Sequence, residues 1–319
     1  MKSPSSIYGL IMEHLTTENQ SSTMRQSFLV FPIILILGQI NLSAQEDLLD
    51  MLNKDEAPEI NFTTATFKST RVMNGHSIER MPAGQLDVRI SHRFGRINSG
   101  SYEFFGLDQS NAHFGLEFGI FDWLMAGIGR GNYEKTYDGF AKFTILKQST
   151  GAKVMPVSVS WLSTMAITSL KWSNTSRTNF FSSRLSYVHQ LLIARKISPS
   201  FSIQLAPALI HRNLVATELD PNDLYSIGAG GRIKLTKRIS LNAEYFYLIN
   251  PKTYLSEMIY DPLSVGFDIE TGGHVFQLIF TNSVAMIEKG FIGETNGSWL
   301  KGDIHFGFNI SRVFSLKKK

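Results

Sequence analysis

The chain has 319 residues, of which 43% are hydrophobic, 18% charged and 12% aromatic, and its mean hydropathy is −0.03. That balance is too polar for a bundle of membrane helices, each of which needs about 20 apolar residues in a row. The absence of cysteine excludes a disulfide scaffold, a thiolate nucleophile and a Cys-based zinc site, and the net charge of +4 is scattered without a basic stripe for nucleic acid.

The first element is an address. "MRQSFLVFPIILILGQINLSAQ" begins at Met24 with a basic residue, then an apolar run from Phe28 to Leu37, then small residues before a cut after Ala44. This is the layout of a secretory signal peptide. The competing reading, a membrane anchor, suffers from a run too short to span. Residues 1–23 are polar and aperiodic, so Met24 is the expected start and residues 1–44 stand apart from the fold. "EDLLDMLNKDEAPE" then offers a short amphipathic helix over Leu48, Leu49, Met51 and Leu52 before Pro58. The stretch to residue 83 is polar and Thr-rich with weak alternation. Residues 45–83 are expected to be a periplasmic segment, or to fold against a barrel entrance.

From residue 84 to 319 a different rule holds. In "HFGLEFGIFDWLMAGIG", Phe114, Leu116, Phe118 and Ile120 alternate with His113, Gly115, Glu117 and Gly119. A helix needs apolar steps of three and four, whereas a strand sends successive side chains to opposite faces. Twelve such segments follow one another: "LDVRISHRF", a hairpin over 113–129, "GFAKFTIL", "PVSVSWLSTMAITSL", "SSRLSYVHQLLI", "FSIQLAPALI", "LYSIGAGGRIKL", "ISLNAEYFYLI", "LSVGFDIE", "HVFQLIF" and "GDIHFGFNISRVF". Links after even strands are short ("FDW", "TKR", "TGG") and links after odd strands tend to be long ("GRINSGSYEFFGLDQSN", "TNSVAMIEKGFIGETNGSW").

Alternation alone fits either a soluble β-sandwich with its apolar faces inward or a membrane barrel with them outward. The export signal, the short/long rhythm and a polar face of Gly, Ser and charge favour the barrel. Lipid cannot satisfy an open sheet edge, so the sheet must close. The expected fold is all-β: a closed antiparallel transmembrane β-barrel of about 12 strands, an even number, in the outer membrane of a Gram-negative cell. Tyr137, Trp161, Tyr247, Trp299 and Phe314 are candidates for interfacial girdles. Phe314 also resembles the terminal aromatic read by barrel-assembly machinery, although "SLKKK" follows it.

"TTATFKSTRVMNGHSIE", "ISHRFGRINSGSYEFFGLDQSN" and "GIGRGNYEKTYDGFAKF" resemble an uncharacterised outer-membrane β-barrel family of Bacteroidetes, a domain of unknown function. The resemblance covers roughly residues 62–319 and is densest over 62–147. It implies a barrel and an outer-membrane location, and no substrate or catalytic residue.

The charges on the lumen parity are Asp87, Arg89, Arg93, Glu117, Lys142, Arg184, Arg232, Lys234, Glu244, Asp268 and Glu270, six basic and five acidic. Near-balance favours mutual pairing, because an unpaired buried charge is costly. A salt-bridged, rigid interior is one reading, and a narrow polar channel whose selectivity these residues set is the other. Twelve strands lie between filled eight-stranded barrels and water-filled porins, so width does not decide. The leading function is a small porin-like channel or transport-related barrel; the alternative is a non-conducting structural or partner-binding barrel.

A lipid-modifying enzyme is the third reading. His92 and His189 fall on mainly apolar faces, Ser163 shares the parity of Trp161, and no "GxSxG" elbow occurs, so the sequence does not bring a serine to a histidine. The chain is therefore read as a non-enzyme. "GIGRGNY" ends a strand with no following helix, against a phosphate loop. His113 and His305 share the lumen parity without metal-ligand spacing. No metal or cofactor is expected. The implied partners are outer-membrane lipid and the barrel-assembly machinery during insertion, with no nucleic acid and with the solute or protein partner open.

Overall fold

The computed structural model describes residues 59–250 and 258–316. The expected upstream extension, export signal (Met24–Ala44) and short helix near Leu48 fall on residues outside those described. Strands β1 (Ile60–Phe62), β2 (Gln85–Arg96), β3 (Ser110–Phe121), β4 (Leu124–Gly131), β5 (Thr136–Leu146), β6 (Ser149–Gly151) and β7 (Ser158–Thr168) are followed by β8 (Leu185–Lys196), β9 (Phe201–Arg212), β10 (Asp223–Lys234), β11 (Ile239–Leu248), β12 (Leu263–Thr271), β13 (His274–Thr281) and β14 (His305–Ser315). One short helix, α1 (Glu288–Gly293), lies in the connection before β14.

All of these strands except β1 and β6 form one closed barrel, twelve in number, each antiparallel to its neighbours in chain order. Closure is made by β14 against β2, with Ile310 opposite Ile90 and Phe314 opposite Leu86. The short links 122–123, 147–157, 197–200, 235–238 and 272–273 gather at one end, called here the turn end, with both barrel termini. The links 97–109, 132–135, 169–184, 213–222 and 282–304, with the described residues 249–250 and 258–262, gather at the other, the loop end.

The side-chain alternation runs with the apolar face outward. Phe114 is 57% exposed and Ile128 67%, while their strand neighbours Glu117 and Arg89 are 2% and 3% exposed. A two-layer soluble sandwich would bury the first set; this barrel presents it as a continuous apolar wall, the arrangement a bilayer requires. Of the girdle candidates, Tyr137, Trp161, Tyr247 and Phe314 face outward. Trp299 does not: its indole N–H donates to the Leu263 carbonyl and the Asn282 side chain at the loop end.

The interior departs from expectation in two ways. First, the segment expected in the periplasm or against the barrel entrance enters the barrel itself over 63–83. It is pinned at the turn end by β1 pairing with β6, rises into the lumen, turns at Val72–Gly75 and descends to β2. Its turn is a miniature hairpin, with Val72 N–H donating to the Gly75 carbonyl and Ser77 N–H to the Thr70 carbonyl. Second, the lumen is not polar all round. On β7–β11 the inward side chains include Leu162, Val188, Leu192, Ala206, Ala208, Ile210, Leu224, Phe246 and Leu248, all buried. They pack with Phe67, Val72 and Ile78 of the strap and with Phe291 and Ile292 of the inward-folded loop 282–304. A hydrophobic core thus sits inside a barrel. Burying each such side chain contributes about 1.5–3 kcal/mol, which makes the strap and loop integral to the fold.

Where the strap leaves the lumen it presses on the wall. A Cβ placed on Gly119 would lie 2.1 Å from the Pro82 carbonyl oxygen and 2.5 Å from that of Met81. Main chain cannot yield as a flexible side chain does, so Gly119→Ala should destabilise the docked strap by about 1–3 kcal/mol. Limited proteolysis should then cut within 63–83 in the variant at a protease dose that leaves the parent intact.

Candidate functional site

The polar part of the lumen, on β2–β5 and β9–β14, meets the strap through the strap's main chain and through a few of its polar side chains. At the tip, the Glu244 carboxylate accepts the peptide N–H groups of Met73 (3.3 Å), Asn74 (2.6 Å) and Gly75 (3.1 Å). The carbonyls point the other way and meet amide and amine donors. Asn309 donates to Met73 (3.0 Å), Gln277 to Val72 (3.0 Å), Gln204 to His76 (2.8 Å), and Lys142 to Ser77 (3.0 Å) and Glu79 (2.6 Å). The Asn74 side chain is held from both sides, receiving Arg93 Nη2 at 2.6 Å on its oxygen and donating to Ser264 Oγ at 2.9 Å. Burial strips water from these groups, so each needs a partner from the wall.

Charge pairing is concentrated at one cluster. Arg89 bridges Asp87 (2.9 Å) and Glu117 (3.4 Å) on the wall. Glu117 also takes Arg71 of the strap at 2.9 Å and the Thr70 hydroxyl at 2.6 Å. Nearer the turn end Glu270 pairs with Lys68 of the strap at 2.6 Å.

The eleven charges singled out from the sequence therefore divide. Asp87, Arg89, Arg93, Glu117, Lys142, Arg232, Glu244 and Asp268 are buried in the lumen. Lys234 and Glu270 are half-buried near the turn end, and Arg184 lies at the loop end with its guanidinium 4.0 Å from the Trp172 ring. Mutual pairing among them is limited to Arg89 with Asp87 and Glu117. Arg93, Lys142 and Glu244 instead bind the strap, Arg232 reaches the Thr66 carbonyl at 3.5 Å, and Asp268 accepts Gln277 at 2.8 Å. Sequence reasoning missed the strap partners Lys68, Arg71 and Asn74. The Asn-Gly pair at 74–75, a hairpin-turn signal, was the available clue.

The strap and the inward loop meet at His76. Arg71 Nη1 lies 2.9 Å from His76 Nδ1, and guanidinium can only donate, so the imidazole is neutral with its proton on Nε2. That nitrogen faces Glu288 of α1 at 3.6 Å. Burial and the surrounding cations Arg71, Lys142 and Arg89 hold the His76 pKa well below its usual value. Beside it a cavity of about 30 Å³ is lined by Arg71, Glu117, His113 and Glu288, space for about one water molecule. His113 bonds Asp138 at 2.7 Å and His305 the Phe94 carbonyl at 2.8 Å, so these two histidines have separate partners.

The outer wall carries an arrangement the sequence did not bring together. Ser163 and His189 are directly opposed on β7 and β8, and Ser163 Oγ lies 3.0 Å from His189 Nδ1. The Trp161 indole N–H donates to the same Oγ at 2.9 Å.

Glu244→Gln keeps the shape but removes the charge from three strap hydrogen bonds. Bonds to an ionised acceptor contribute about 1.5–3 kcal/mol, so amide exchange at residues 72–76 should accelerate at least about tenfold, with the barrel amides unchanged.

No curated protein matches this chain. Among solved structures, an outer membrane channel from Pseudomonas putida F1 is 10% identical with a TM-score of 0.46, covering 74% of this chain and 98% of its own. The NanC porin is 9% identical with a TM-score of 0.45 (73% and 100% covered), and Omp33, an outer membrane protein of Acinetobacter baumannii, is 7% identical with a TM-score of 0.40 (72% and 98%). Residues 67–314 match the family described as "Membrane bound beta barrel domain", a span that takes in most of the strap and all twelve barrel strands. The chain belongs to that family of membrane-bound β-barrel domains, DUF5777.

Proposed function

We propose that the protein is an outer-membrane channel of a Gram-negative bacterium of the Bacteroidetes, exported by the signal at Met24–Ala44, with its turn end in the periplasm and its lumen shut by its own strap. The observation that supports this reading is the set of wall side chains, Glu244, Lys142, Gln204, Gln277 and Asn309, aimed at strap main chain. Here the wall keeps a polar lining that water and solute can occupy once the strap withdraws toward the turn end. The barrel inserts with the help of the assembly machinery and rests in outer-membrane lipid; the solute is unassigned.

The alternative, a non-conducting scaffold, is separated by planar-bilayer recording. The parent chain should be mostly closed, and a chain lacking 59–83 should show current steps. Because the chain has no native cysteine, a Cys pair at Asn74 and Ser264 gives a clean lock: steps disappear on oxidation and return with reductant. Strap-deleted barrels that insert yet pass no current would leave the scaffold reading standing.

The Ser163–His189 contact is the one observation that favours lipid hydrolysis. The serine and histidine share the lipid face, and a Ser/His pair is a nucleophile with its base. Two features oppose it. The strand amides flanking both residues are committed to the β7–β8 and β8–β9 ladders, leaving no obvious oxyanion donor, and no carboxylate among the described residues bonds His189. Mutual hydrogen bonding of polar groups facing lipid is the sufficient account. Purified protein should release no fatty acid from phospholipid vesicles; a release abolished by Ser163→Ala would reverse this.

A further inference from the structure

At the loop end a second cavity, of about 310 Å³, opens between β5, β7, β8, β9 and the inward loop. Its size sits at the lower end of small-molecule pockets, about 300–1,000 Å³. Its chemistry is uneven. Lys171, Arg184, Arg212 and Lys289 supply four cations, and Glu134 and Glu294 supply two carboxylates. Both carboxylates are taken by a single partner: Lys289 Nζ lies 2.6 Å from Glu134 and 2.9 Å from Glu294, with its side chain 12% exposed. Among the described residues, no carboxylate lies within ion-pair distance of Arg184 or Arg212.

The two guanidiniums are held in place by neutral groups. Arg184 donates to the carbonyls of Thr168 (3.0 Å) and Leu170 (2.6 Å) and lies 4.0 Å over the Trp172 ring. Arg212 donates through Nη2 to the Pro221 carbonyl at 2.8 Å. A guanidinium fork matches a carboxylate. The rest of the lining is an indole, Trp172, and the hydroxyl residues Thr136, Thr168, Ser173, Ser183 and Ser186.

We propose that this pocket binds a small hydroxylated carboxylate of the sugar-acid class, with Arg212 and Arg184 taking the carboxylate and Trp172 and the hydroxyls facing the ring. The lining supplies what a plain anion does not use, an aromatic plate beside a rim of hydroxyls. The site stands whether or not the barrel conducts, because it lies in the mouth above the strap and is read by binding alone.

The test is calorimetric titration of the full chain in detergent, with D-glucuronate, D-glucose and inorganic phosphate as probes. Glucuronate should bind at least about tenfold more tightly than glucose, and Arg212→Gln should weaken it about tenfold or more. Trp172 lies in a loop at the mouth, so Trp172→Ala leaves the strands untouched while removing both the ring contact and the face that Arg184 lies over, and it should also weaken glucuronate. Three results would overturn the assignment: no glucuronate binding by folded protein at about 10 mM, binding unaffected by Trp172→Ala, or phosphate binding as tightly as glucuronate.

Discussion

The structure depends on one requirement: main chain that enters a dry barrel must find hydrogen-bond partners on the wall. A strand meets this requirement through its neighbours in the ladder. The strap at 63–83 has neighbours of its own only at β1 and across its short turn, so the wall must answer for the rest. It does so with side chains of the right polarity at the right height. An acid, Glu244, stands where peptide N–H groups gather at the turn, and amides or cations stand where carbonyls face outward. Reversing any one of these would bury two donors or two acceptors face to face.

This explains why the barrel has two unlike inner walls. The side from β7 to β9, with the loop-end parts of β10 and β11, receives Phe67, Val72, Phe291 and Ile292 and is largely apolar, like the core of a soluble domain. The opposite side handles peptide groups and the Arg71–Arg89–Glu117–Asp87 cluster and is polar. An outer surface facing lipid and an inner surface facing protein leave residues such as Leu191 and Leu192 apolar on both faces of one strand.

The barrel was legible from the sequence because strand alternation is local: a period of two survives in any window, and all twelve barrel strands appear at their expected places with ends shifted by a few residues. The lumen parity of Asp87, Glu117 and Lys142 could be read the same way. What filled the lumen could not. "FKSTRVMNGHSIE" carries no period, because an irregular strap is specified by partners far along the chain: Asn74 with Ser264, Met73 with Asn309. The inward apolar residues of "HQLLI" and "LAPALI" were visible, yet runs apolar on both faces are ambiguous until something is known to pack inside. Ser163 and His189 are each ordinary in sequence and meet only through the β7–β8 register.

The ladder between β14 and β2 turns the sheet into a cylinder, and each of its strands is directly preceded by one of the two fillers. The strap runs into β2 and the inward loop runs into β14. Zipping the final seam therefore draws both stoppers to the axis in the same act. Assembly and occlusion are one event, so this barrel is born corked.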